Sequence, residues 1–130
     1  MIFTSYFANL RNISDNLVTP ISIVRQPPSW YTGLEYTKLA PPWDILNEYR
    51  HTKDAKVYFK NYTEQVLDHL DPFVVRQELI NIAEDSQIVL LCFERPENFC
   101  HRHIVSDWFS SYGIPSQEMN LNGFRSRNLT

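Results

Sequence analysis

The stretch SQIVLLCFERPENFCHRHIVSDWF, residues 86–109, decides the fold. Its first part, IVLLCF, is apolar at every position, which marks a strand covered on both faces rather than one alternating between core and water. Its last part carries Cys100, Ile104, Val105, Trp108 and Phe109 at three- and four-residue steps, the spacing of one helical face. Between them ERPE is turn chemistry, and Asn98 is a good N-cap for a helix beginning at Phe99. Gly113 supplies a left-handed residue to end that helix, with Pro115 just beyond.

Working upstream, DPFVVRQELINIAED opens with Asp71 as N-cap and Pro72 at the first helical position, and its apolar face is Val75, Leu79 and Ile82. AKVYFKNYTEQVLDHL and WDILNEYRH read as two further helices. MIFTSYFA and PISIVR read as two strands near the N-terminus. Between Gln26 and Trp43 no periodicity is evident. Paired prolines hold the chain extended there, and Trp30, Tyr31, Tyr36 and Trp43 make it aromatic. A long aromatic loop inside a domain more often forms a lid or binding wall than an idle linker. Downstream, a short edge strand is expected near Met119, with residues 121–130 as a frayed tail. The pattern is that of an α/β domain with a mainly parallel sheet.

The 130 residues suit a single domain spanning 1–130. A formal net charge of −3 counts against a general nucleic-acid coat, which needs a basic excess. No segment approaches the roughly 18 apolar residues of a membrane span. The N-terminus lacks the basic start and sustained apolar run of a signal peptide. The expectation is a soluble, cytoplasmic protein with no membrane partner. Cys92 and Cys100 sit in different settings and imply no disulfide framework, so a reducing compartment is the simpler assumption.

In open α/β sheets, ligands collect beyond the carboxyl ends of the strands. Cys100, His101 and Arg102 fall at such a place. In the first turn of a helix, Cys100 would meet unpaired N–H groups that favour an anion and lower a thiol's pKa. Arg102 could hold a phosphate or carboxylate by two parallel hydrogen bonds. Arg25 reaches the same rim if its strand neighbours the apolar one. Glu94, at the strand's end, could orient Arg102 or act as a base. The bland alternative stays open: Cys100 packs into the core, the histidines are solvated, and Arg102 pairs with Glu94 or Glu97. Cys92 belongs to the core on its strand position. Cys92, Cys100, His101 and His103 have the atom types zinc needs, but the spacing matches no common finger, and consecutive Cys and His on a helix diverge. No metal and no cofactor are therefore expected.

LLCFERPENFCHRHIVSDWF resembles the hallmark segment of the domain-of-unknown-function 488 (DUF488) family, in which a Leu-Leu-Cys-X-Glu strand end leads to a Cys-His-Arg at a helix start. Leu90, Leu91, Cys92, Glu94, Cys100, His101 and Arg102 match. ISIVRQPP resembles the family's second strand with its trailing arginine, matched by Arg25, and GLEYTKLA matches at Gly33 and Tyr36. The family often carries an acid two residues before that arginine, where Ile23 stands here. The resemblance implies a Rossmann-like three-layer domain of a compact type common in bacteria and their phages. It implies no settled reaction.

Two functions compete. In the first, the chain binds or acts on a phosphate-bearing small molecule or nucleotide. Cys100 is then nucleophile or contact, Glu94 or His101 moves protons, Arg102 and Arg25 hold the anion, and the Trp30–Tyr36 loop, with Tyr31, stacks on a planar ring. In the second it is a non-catalytic interaction module for a protein or single strand, and the Cys-His-Arg cluster braces loops. A third idea, a phage-borne protein that sequesters a signalling nucleotide, follows only from the resemblance. Oligomeric state is not legible.

Overall fold

The computed structural model describes residues 1–13, 18–84, 87–93 and 100–119. Five strands form one all-parallel sheet: β1 (Ile2–Tyr6), β2 (Val18–Ser22), β3 (Leu34–Glu35), β4 (Gln87–Cys92) and β5 (Ser116–Glu118), in the order β3-β2-β4-β1-β5. The apolar strand read from the sequence is β4, flanked by β1 and β2, with Leu90 opposite Thr4 on one side and Ile21 on the other. Ile88 to Cys92 are all buried, which accounts for the absence of alternation in IVLLC, while Phe93 lies past the strand's end and is exposed. PISIVR lies lower than expected: β2 starts at Val18 and ends at Ser22, although Ile23 adds one more bond, its N–H donating to Leu91 O at 3.1 Å. The two-residue β3 carries no readable strand pattern.

Among the described residues there are four α-helices, two of them opened by side-chain caps. Helix α1 (Trp43–Thr52) begins after Pro42 and ends at Lys53 in the left-handed region (φ 55°). Helix α2 (Ala55–Gln65) is capped by Asp54, whose carboxylate accepts from Lys56 N and Val57 N. Helix α3 (Pro72–Ile82) has the expected Asp71 cap, accepting from Phe73 N and Val74 N, and Pro72 in its first turn. Each cap satisfies donors that the helix itself leaves unpaired. Helix α4 (His101–Ser111) closes through Gly113 at φ 79°, whose N–H donates to Ser110 O.

The core has two sides. Ile21, Ile88 and Leu90 of the sheet cluster with Ile45 of α1, Tyr58 and Tyr62 of α2, Val75 and Leu79 of α3, and Val105 and Phe109 of α4. Phe3, Val89 and Leu91 cluster instead with Phe7 and Leu10 of a 3-10 segment (Phe7–Asn12), Ile13 and Tyr31. Among the described residues, the α-helices thus form one layer, the sheet the second, and the 3-10 segment with the Tyr31 loop a thinner third. Each fully buried aliphatic side chain contributes about 1.5–3 kcal/mol relative to exposure. Among the described residues, no helix is long and apolar enough to cross a membrane.

The expected cap Asn98 lies outside the described residues. Helix α4 begins at His101, and its N-cap is Cys100, with extended backbone at φ −155°, ψ 148°. Cys100 is therefore not a first-turn residue, and this displacement shapes the site.

Candidate functional site

Because β2 and β4 are parallel neighbours, the chain leaving each emerges at the same edge of the sheet. Val24–Pro27 follow β2 there, Cys92 and Phe93 end β4, and Cys100 and His101 open α4. The far wall is α1 and α2. Together they line an open cavity of about 640 Å³. Its lining brings Arg25, Arg50 and Lys53 together with Trp43, Tyr49 and Tyr58, and the sulfurs and imidazole lie on the same surface.

Cys92 and Cys100 are joined as a disulfide, their Cα atoms 7.0 Å apart. This corrects the expectation of two unrelated thiols. The reason is the extended backbone of Cys100: its side chain turns back over the end of β4 instead of following the helix. In this state Cys100 carries no thiolate, and any role as nucleophile needs the bond opened first. Cys92 is buried, as its strand position implied.

His101 stands beside the pair. Its Nε2–H donates to Ile23 O at 2.7 Å, which leaves Nδ1 as the lone-pair nitrogen, 3.2 Å from Cys92 Sγ and 3.9 Å from Cys100 Sγ. Burial, with the charges of Arg102 and His103 adding to it, pushes the imidazole down to about 4, against the opposing pull of the Ile23 carbonyl. It is neutral at pH 7. At position 23 it is the backbone carbonyl that meets the histidine.

Arg102 goes elsewhere. It is fully buried and faces β5, donating from Nε to Glu118 Oε1 at 3.0 Å and from Nη2 to Oε2 at 3.2 Å, with the Tyr6 ring 5.8 Å away. Glu118 Oε1 also accepts from Thr4 Oγ1. The bidentate pair thus ties α4 to β5 and β1, and Arg102 does not line the cavity. Arg25 does line it, while donating from Nε to Pro41 O (3.2 Å) and from Nη2 to Ala40 O (2.9 Å), which pins the loop before α1.

The aromatic loop also departs from expectation. Trp30 and Tyr31 pack edge-on against Phe7 on the other side of the sheet, away from the cavity lining. Burial pushes the Tyr31 phenol up to about 12, and its hydroxyl donates to Leu34 O. Tyr36 donates to Glu78, whose carboxylate also accepts from Lys38 Nζ. Burial raises the Tyr36 phenol, and the Tyr36 and Lys38 hydrogen bonds hold the Glu78 carboxyl below its ordinary range. Glu94 lies outside the described residues. So Arg25, Cys100 and His101 are brought together, and Trp30, Tyr31, Tyr36 and Arg102 are not.

The reading from sequence missed the α1 wall. Trp43, Leu46, Tyr49, Arg50 and Lys53 recur at three- and four-residue steps, so they form one legible stripe. Nothing in the stripe says which way it faces.

A family model described as "Active DUF488-N3 subclade" matches residues 13–113, well over half of the chain. The chain belongs to the DUF488 family. Searches among curated proteins and among solved structures return no match. The matched span takes in both arms of this cavity, from Arg25 to His101.

Proposed function

We propose that this DUF488 chain binds a phosphate-bearing small molecule with a planar ring, of the nucleotide class, in the cavity beyond β2 and β4. One observation carries this reading: on a chain of net charge −3, three cationic side chains (Arg25, Arg50 and Lys53) and four aromatic rings (Trp43, Tyr49, Tyr58 and Phe93) line one open cavity. Cations of this kind suit phosphate oxygens, and Arg does so with a planar fork. Trp43, Tyr49 and Tyr58 offer faces or edges to a ring. A volume of about 640 Å³ lies within the usual range of small-molecule pockets. The family model's description as an active subclade favours chemistry at this site over passive binding. The Cys–His pair is the group suited to supply it.

The rival reading, a non-catalytic interaction module, draws on a patch that adjoins the cavity and shares Phe93 with its lining. Trp30 and Phe93 are exposed and gather around Phe7, an aromatic patch next to the cavity mouth.

Calorimetry of the full chain with inorganic phosphate, pyrophosphate and a set of nucleoside phosphates separates the two. Heat is expected with the nucleotides, weaker with phosphate alone, and falling as salt rises. Absence of heat for every phosphate-bearing probe overturns the proposal.

A further inference from the structure

We propose that Cys92, Cys100 and His101, once the disulfide is opened, form a binding site for a thiophilic divalent cation of the zinc class. The proposal goes beyond the anion-binding reading and does not rest on it. One ligand atom from each residue lies within 4.8 Å of the other two, and all three residues are buried. Two cysteines and a histidine are a donor set that zinc accepts in sites keeping a fourth position open.

The orientation of His101 is the second observation. Its Nε2–H is committed to Ile23 O, which leaves Nδ1 unprotonated, 3.2 Å from Cys92 Sγ and 3.9 Å from Cys100 Sγ. In the disulfide those sulfurs carry no proton to donate. The buried Nδ1 thus lies against two sulfurs that offer it no proton. Metal-ligating histidines are oriented this way, the distal N–H fixed by a carbonyl and the near nitrogen free for the ion. The objection that Cys100 and His101 diverge along a helix also falls, because Cys100 is the extended N-cap and its side chain converges on the imidazole.

The balance is simple. Two equivalents of a small thiol reduce the Cys92–Cys100 bond, giving two cysteine thiols and one small-molecule disulfide. The cation then displaces both thiol protons and binds two thiolates and a neutral imidazole. The dipositive ion and two thiolates sum to zero charge, which suits side chains this buried. The three residues also line the cavity, so a molecule entering it would reach the bound ion. The disulfide is then the oxidised, metal-free form of the same site.

Titrating the full-length chain with cobalt(II), in parallel disulfide and phosphine-reduced samples, tests this. The reduced chain should develop a thiolate-to-cobalt charge-transfer band and the intense visible bands of a tetrahedral ion, and zinc should abolish both. The disulfide sample should show neither. Cys92→Ser should remove the charge-transfer intensity from Cys92. His101→Gln, which keeps an N–H for Ile23 O but lacks the Nδ1 ligand, should weaken binding at least tenfold. If a serine variant fails to fold, X-ray absorption on the zinc-loaded wild-type chain decides: two sulfurs at about 2.3 Å support the site. A reduced chain of native circular dichroism with no cobalt–sulfur band, or a zinc shell of nitrogen and oxygen alone, overturns it.

Discussion

His101 and Arg102 are adjacent in sequence, similarly buried, and opposite in what they do. His101 turns toward β2, where its ring joins the two sulfurs and the cavity. Arg102 turns toward β5 and closes a polar knot with Glu118 and Thr4. A helix rotates by roughly 100° per residue, so a first turn set over a sheet edge sends neighbouring side chains to different strands. The lesson is that a contiguous motif need not be one site. Here its first half belongs to the cavity and its second half holds the fold together.

The largest test of that division is Arg102→Ala. Removing Arg102 leaves the partly exposed Glu118 carboxylate with Thr4 Oγ1 and empties a buried space, a loss of up to about 3–5 kcal/mol, the range of a broken buried pair. Urea unfolding should show it, while the fraction that folds keeps its ligand heat. A variant of wild-type stability that has lost ligand binding would break the comparison.

On the other side, His101 gives stability a pH dependence. Its folded value, about 4, lies below the ordinary 6.5, so the unfolded chain takes up the proton first. The contribution is complete above about pH 6.5 and is lost as pH falls toward 4, amounting to about 3 kcal/mol at most. In the disulfide form, His101→Gln should flatten urea midpoints across that window. An unchanged slope would assign the acid sensitivity to other groups.

Opening the Cys92–Cys100 bond, which closes a loop of sequence separation 8, should cost about 2–3 kcal/mol. Melting with and without reductant measures it, and adding zinc to the reduced chain should recover part of the loss. Smallest in stability are Arg50→Gln and Lys53→Gln, both on exposed side chains and each within about 0.5 kcal/mol of wild type. Each should nonetheless weaken nucleotide binding about tenfold, or about 1.4 kcal/mol. Equal affinity in both variants would move the anion away from the α1 wall.

Much of the architecture is legible in particular residues. Asp71 followed by Pro72 announces α3, the unbroken apolar run announces a central strand, and Gly113 announces the end of α4. Local chemistry suffices there, because a cap or a buried strand is specified by its own few residues. The start of α4 is different. Asn98 has the better capping side chain, yet Cys100 is the N-cap, without any side-chain capping bond. The disulfide and the packing at the end of β4 accompany that choice, and local propensity does not encode them.

What the sequence alone determined is which segments pair with water and which do not, hence an α/β sheet with β4 at its centre. It also determined that thiols, an imidazole and arginines gather near that strand's exit. Only the tertiary structure decided which of them meet. Side-chain direction depends on the backbone angles of single residues and on which strand lies alongside, and neither is written in spacing. That is why Arg25 and His101 share a cavity while Arg102, one residue away, is bound to Glu118 on the opposite edge.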